Sequence, residues 1–168
     1  MFRICYVTTA TVRRATPSDA SELADLCRSL WAEGNREEHL REVEQKINSG
    51  QSGTLPVVLF VAEDPEGPLA GFIEVGLRSH ADGCHTAQPV GYIEGWFVGE
   101  PWRGSGVGRE LMRAAEEWSL GRGCIEIASD ALIDNLPSQD AHAALGFELV
   151  DRCVHLKKAL IHMSEDSK

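Results

Sequence analysis

The sequence predicts a mixed α/β domain, a sheet with helices on its faces, and three observations carry that expectation. Apolar runs of strand length, PVVLFVAED and LAGFIEVGLRS among them, alternate with segments whose apolar residues recur at helical spacing. DPEGP, between those two runs, reads as the turn of a hairpin. A glycine-rich stretch, RGSGVGR, joins a strand-like segment to a helix-like one. The order along the chain is β, α, α, β, β, β, α, β, α, β.

TVRRAT, from Thr11 to the boundary at Pro17, is β-branched enough for a first strand. Ser18 is the expected N-cap of the first helix, with Asp19 and Glu22 in the first turn, where the helix dipole favours acids. Leu23, Leu26, Cys27 and Leu30 recur at helical spacing, and Trp31 and Gly34 end that helix. Leu40, Val43 and Ile47 mark a second, more polar helix, stopped by NSGQSG. After the hairpin, the polar loop HADGCHTAQP leads to the strand GYIEGWFV. Beyond the glycine loop, Val107, Leu111, Ala114, Ala115 and Trp118 share one helical face until Gly121 and Gly123. CIEIAS is the next strand, and Asn135 and Pro137 open a short helix through Leu145. Gly146 ends it, and FELVDRCVHLKK is expected as the final strand. Residues 1–10 read as an N-terminal extension, 11–160 as one domain and 161–168 as a tail.

The chain of 168 residues carries a net charge of -10, which argues against a general binder of nucleic acid or anionic membrane. It suits a cationic partner, although solubility alone would also explain it. No apolar run approaches a membrane span, and the start lacks the features of a signal peptide. The five cysteines are scattered and show no metal-type pairing, so reduced thiols in a cytoplasm are expected.

Backbone N–H groups at a helix start are unpaired, and the dipole there favours an anion. Glycines let the backbone approach a phosphate closely. RGSGVGR therefore reads as a pyrophosphate cradle, with Arg103 and Arg109 adding charge to an otherwise acidic chain. The alternative is a strand–helix turn with tolerated glycines. The nucleotide P-loop is excluded because no Lys-Ser/Thr follows the last glycine, and the dinucleotide fingerprint is excluded by spacing and position.

Arg103-x-x-Gly106-x-Gly108 resembles the R/Q-x-x-G-x-G/A signature of the GCN5-related N-acetyltransferases. The preceding strand, the following helix, CIEIAS and the closing His142, Gly146 and Phe147 stand in family order, over roughly residues 11 to 158. The resemblance implies a mostly antiparallel sheet splayed between its fourth and fifth strands, GYIEGWFV and CIEIAS. It also implies acetyl-CoA as acetyl donor. Its pyrophosphate would lie on Arg103, Gly104, Ser105, Gly106, Val107, Gly108 and Arg109. Backbone groups of Phe97 and Val98 would hold the pantetheine arm, with Asn135, Ser138 and His142 further along the cofactor. Members often dimerise through the final strands, so a homodimer is expected.

LRSHADGC, YIEGWFV, GCIEIASDALIDN and SQDAHAALGFELVDR are similar to the aminoglycoside 6'-N-acetyltransferases. That likeness implies a polycationic amino-sugar substrate, acetylated at its 6'-amine by direct transfer. An amine near neutral pH is mostly protonated and must lose a proton before attacking a thioester. Strand alternation is expected to place Tyr92, Glu94, Trp96 and Val98 on one side, with Glu94 among apolar neighbours whose burial would raise its pKa. Asp130 falls at the end of the paired strand. The two acids would collect and deprotonate the amine; the alternatives are an arginine partner for Glu94 and a loop cap for Asp130. Many relatives carry a tyrosine four residues before the Gly-Phe pair, as acid for the leaving thiolate. Here that position is His142, read as acid, cofactor ligand or packing residue.

By position, Trp31 would offer a flat wall to a sugar ring, or else close a helix end in the core. Glu74, His80, Asp82 and Asp151 would bind the other amines; Glu74 and Asp151 could instead be surface ion-pair members. His80, Asp82, Cys84 and His85 lack the spacing of a zinc site, and no metal is expected. Two other readings stand beside the lead one: an acetyltransferase for another small amine, a polyamine or a protein N-terminus, and a non-catalytic module that binds acetyl-CoA or an aminoglycoside.

Overall fold

The computed structural model describes residues 10–31 and 33–159, so the expected extension, apart from Ala10, and the tail lie outside the described residues. Strand β1 spans Thr11–Arg14, followed by helices α1 (Ala20–Leu30) and α2 (Arg36–Ser49). A two-residue strand β2 (Gln51–Ser52) leads into β3 (Leu55–Glu63), β4 (Leu69–Arg78) and β5 (Val90–Val98). Helix α3 (Val107–Leu120), strand β6 (Ile127–Ser129) and helix α4 (Leu136–Ala143) complete the order. The sheet runs β1-β3-β4-β5-β6, antiparallel throughout except for the parallel β5–β6 pair.

Both faces of the central strands are covered, which is why β3 and β4 read as nearly unbroken apolar runs. On one face Val58, Ile73, Val75 and Ile93 pack against Val107, Leu111, Met112 and Ala115 of α3. On the other, Leu59, Val61 and Phe72 pack against Leu23 and Cys27 of α1 and Val43 of α2.

Three local expectations are corrected. The first helix is entered through a tight turn at Pro17–Asp19 that Thr16 caps, and the helix's own N-cap position is Asp19 rather than Ser18. The Asp19 carboxylate accepts from the Thr16 amide at 2.7 Å and its hydroxyl at 2.8 Å, and takes two more bonds from Arg13 at 2.7 and 2.8 Å. CIEIAS is strand only over its last three residues, Ile127–Ser129. FELVDRCVHLKK forms no strand: Leu149, Val150, Val154 and Leu156 are exposed, the last at 91%. Apolar alternation yields a strand only where a neighbouring strand supplies backbone partners, and this segment pairs with no strand among the described residues.

A fourth correction shapes the site. Glu74 pairs with Gly95 and Val75 with Ile93, so Glu94 is an extra, unpaired residue in β5. The bulge reverses the alternation. Trp96 and Val98 pack on the α3 side, whereas a side chain at Gly95 would strike Trp31 and Leu30 on the α1 side. Glu94 lies next to Gly76 on that second side. The expected single row of Tyr92, Glu94, Trp96 and Val98 is therefore broken after Glu94.

Candidate active site

The glycine loop is built as an anion cradle. Gly104 and Gly106 have φ of 74° and 96°, a left-handed conformation that side chains disfavour, and a Cβ at either would meet open space. Gly108 is small for another reason: a Cβ there would lie 2.9 Å from the Trp96 indole. Helix α3 starts at Val107 with no side chain capping it, so its first amides are free to meet a ligand. The loop is pinned from behind, because the Trp102 indole N–H donates to Asp64 at 2.8 Å. Arg103 donates from Nε to the Val98 carbonyl at 2.9 Å, while Ser105 bonds the Trp102 carbonyl. The Trp96 indole N–H is buried beside Gly108 without a partner. Free amides, two arginines and an orphaned donor fit a polyanionic cofactor.

At the far end of β5 the parallel ladder is short. Gly91, Tyr92 and Ile93 pair with Ile127, Ala128 and Ser129, and β5 then runs on to Val98. Asp130 stands one residue past the last rung. Its carboxylate accepts the Tyr92 hydroxyl at 2.6 Å. The Arg78 guanidinium lies 3.3 Å above the Tyr92 ring and holds both oxygens of Glu94, at 3.1 and 2.9 Å. Glu94 and Asp130 are thus joined through Arg78 and Tyr92. Neither linking residue was singled out from the sequence. The available signal was an arginine closing a buried strand opposite Tyr-x-Glu.

Glu94 is not buried among apolar neighbours as expected. Its side chain is 34% exposed and ion-paired, because the bulge turns it out of the ladder toward Arg78. Glu74 is corrected more sharply: it is 3% exposed and bound to Lys46 at 2.8 Å, so it faces α2 and not a ligand. Burial pushes its carboxyl above the ordinary range, against the pull of Lys46.

His142 is held at both nitrogens, Nδ1 at 2.8 Å from the Ser138 carbonyl and Nε2 at 3.0 Å from the Ser129 hydroxyl. The carbonyl can only accept, so Nδ1 carries the proton and Nε2 accepts from Ser129. Its ring also meets Trp96 and Phe147 edge-on, each at 5.1 Å. This geometry ties α4 to the sheet. Asn135 caps α4, accepting from the Ser138 amide at 3.2 Å.

Trp31 is half-buried, tilted on Phe72 at 6.0 Å and set against Gly95 of the bulge. Phe97 packs on the same side. His80 and Asp82 are exposed on the β4–β5 loop, and Asp151 is exposed on the C-terminal segment. Loop and segment touch, since Gly83 lies against Val150. Among the described residues no three metal-ligating side chains converge, and no helix is long and apolar enough to cross a membrane.

A mixed sheet whose fifth strand hands an anion cradle to a helix is the architecture of an acyl-CoA-type transferase. The chain belongs to the GNAT family of acetyltransferases, whose model matches residues 21–147. It is 37% identical over 150 residues to an aminoglycoside N(6')-acetyltransferase type 1 of Stenotrophomonas maltophilia, covering 89% of this chain and 94% of that one. A protein of the same name from Klebsiella aerogenes is 38% identical over 145 residues, covering 86% and 93%. Among solved structures, AAC(6')-Iy in complex with the bisubstrate analogue CoA-S-monomethyl-acetylneamine superposes with a TM-score of 0.81 at 28% identity, covering 91% of this chain and all 100% of that one.

Proposed function

We propose that this chain is an acetyl-CoA-dependent aminoglycoside 6'-N-acetyltransferase that transfers the acetyl group directly to the drug. The observation that carries the reading is the pairing of an anion cradle with two linked carboxylates beside the middle of one strand, β5, which runs on into that cradle. Acetyl-CoA would supply the activated thioester. The free amides of Val107, Gly108 and Arg109, with the Arg103 and Arg109 side chains, would hold its pyrophosphate. Phe97 and Val98 would line the pantetheine arm, with Arg103 leaving the Val98 carbonyl as the cofactor enters. Glu94 and Asp130 would collect the protonated 6'-amine, and Asp130 would accept its proton. Trp31, beside the bulge, would form one wall for the sugar, with His80, Asp82 and Asp151 at the rim.

The similarity to proteins named for this activity supports the same reading. The reading includes a cytoplasmic location, where acetyl-CoA is available. It also includes a homodimer, supported by the exposed apolar side chains of Leu149, Val150, Val154 and Leu156, which need cover. Sedimentation at micromolar concentration tests that state; a monomer would remove the dimer.

The function is tested by release of free CoA thiol with two matched aminoglycosides, one bearing a 6'-amine and one a 6'-hydroxyl. Release with the amine alone is expected. No release with either removes the drug-modifying reading and directs attention to other amines.

A further inference from the structure

The side chain of Asp130 is exposed, and the sheet does not hold it. Beta pairing ends at Ser129, and β6 is three residues long. Among the described residues its one side-chain hydrogen bond is the 2.6 Å bond from Tyr92. A hydroxyl-to-carboxylate bond of that length is charge-assisted and directional. Tyr92 itself is fixed: it is 8% exposed, and Arg78 is stacked on its ring and tethered at two points to Glu94. Burial and the bond to Asp130 push the Tyr92 phenol well above its ordinary range, so it remains a hydroxyl donor. The direction of an otherwise loose carboxylate is therefore set by one buried hydroxyl.

We propose that Tyr92 is a positioning residue for acetyl transfer, aiming the Asp130 carboxylate at the acceptor amine. The proposal rests on the reading of Asp130 above and extends it to the residue that donates to its carboxylate. Arg78 belongs to the same device, since its stacking fixes the plane in which the hydroxyl lies. A carboxylate aimed in advance spares the transition state the ordering of a free rotamer.

Tyr92→Phe keeps the ring beneath Arg78 and removes the hydroxyl. With a 6'-amine acceptor kcat should fall about tenfold or more, as loss of a hydrogen bond to a charged group implies. KM for acetyl-CoA should be unchanged. In an Asp130→Ala background the same substitution should have no further effect, because Tyr92 acts only through Asp130. No loss in the wild-type background, or equal losses in both, overturns the proposal for Tyr92 alone. If Asp130→Ala keeps full turnover, the reading of Asp130 falls and the positioning role falls with it. The bond has a readout that needs no turnover. The chain has two tyrosines, and in protein labelled at the tyrosine ζ-carbon the Tyr92 resonance should move on Asp130→Ala. An unmoved resonance overturns the bond itself.

Discussion

Two glutamate–cation pairs sit on the same side of the sheet, in adjacent strands, and have opposite characters. Glu74 on β4 is sealed under α2 with Lys46, whereas Glu94 on β5 meets Arg78 at the surface. What separates them is one residue of backbone. Glu74 is paired on both sides, with Leu59 of β3 and Gly95 of β5, and points into the interior, and Glu94 is the extra residue that the ladder leaves out. A sealed pair is a structural element whose halves depend on each other. An open pair keeps its carboxylate within reach of a further cation, which is what binding of an amine requires.

The largest expected effect breaks the sealed pair. Lys46→Met leaves Glu74 buried without its partner and should destabilise the fold by about 3 kcal/mol at neutral pH in urea unfolding. The folded pKa of Glu74 is already raised by burial, so its protonated form favours the fold and that contribution is lost as pH rises. The penalty of Lys46→Met should therefore shrink as the solution is acidified toward about pH 4. A penalty independent of pH would show that Glu74 is not the group responsible.

Glu94→Gln is the opposite experiment. It should lower turnover with a 6'-amine about a hundredfold while moving stability by less than about 0.5 kcal/mol, as for an exposed pair. If stability falls and turnover holds, the assignment of open and sealed is reversed.

A third pair sharpens the scale between them. Asp19 is buried against Arg13, and the guanidinium bonds outweigh desolvation and pull its carboxyl from 3.8 down to about 2. A lowered folded value contributes stability that is present above the unfolded value and lost as pH falls through the folded one. Asp19→Asn should cost about 2 kcal/mol at neutral pH and flatten the decline in stability between about pH 4 and 2. Acid unfolding followed by circular dichroism reads both.

Much of this was legible in the sequence because it depends on local pattern. The cradle announces itself through Arg103, Gly106 and Gly108, and the helices and central strands through their periodicity. What stayed hidden depends on distant partners. Lys46 and Glu74 are far apart in the chain, and nothing local marks them as a pair. FELVDRCVHLKK has a strand's alternation, but alternation does not supply a neighbouring ladder. His142 occupies a position suggesting chemistry, and its contacts with Ser129 and Ser138 turn it into a tie between elements. The bulge was invisible for a simpler reason: reading alternate residues assumes the period-two count is never interrupted.

That interruption makes β5 behave like a wave with a phase slip at Glu94. The residues before it pair with β6 and lead to Asp130, and those after it lead into the cradle and α3. Taking Glu94 into the ladder as an ordinary paired residue would remove the bulge and rotate the following side chains by half a turn. Trp96 and Val98 would swing out of the α3 layer, and Phe97 would swing into it. The strand would be more regular, and its two ends would no longer be in register with the sites they serve.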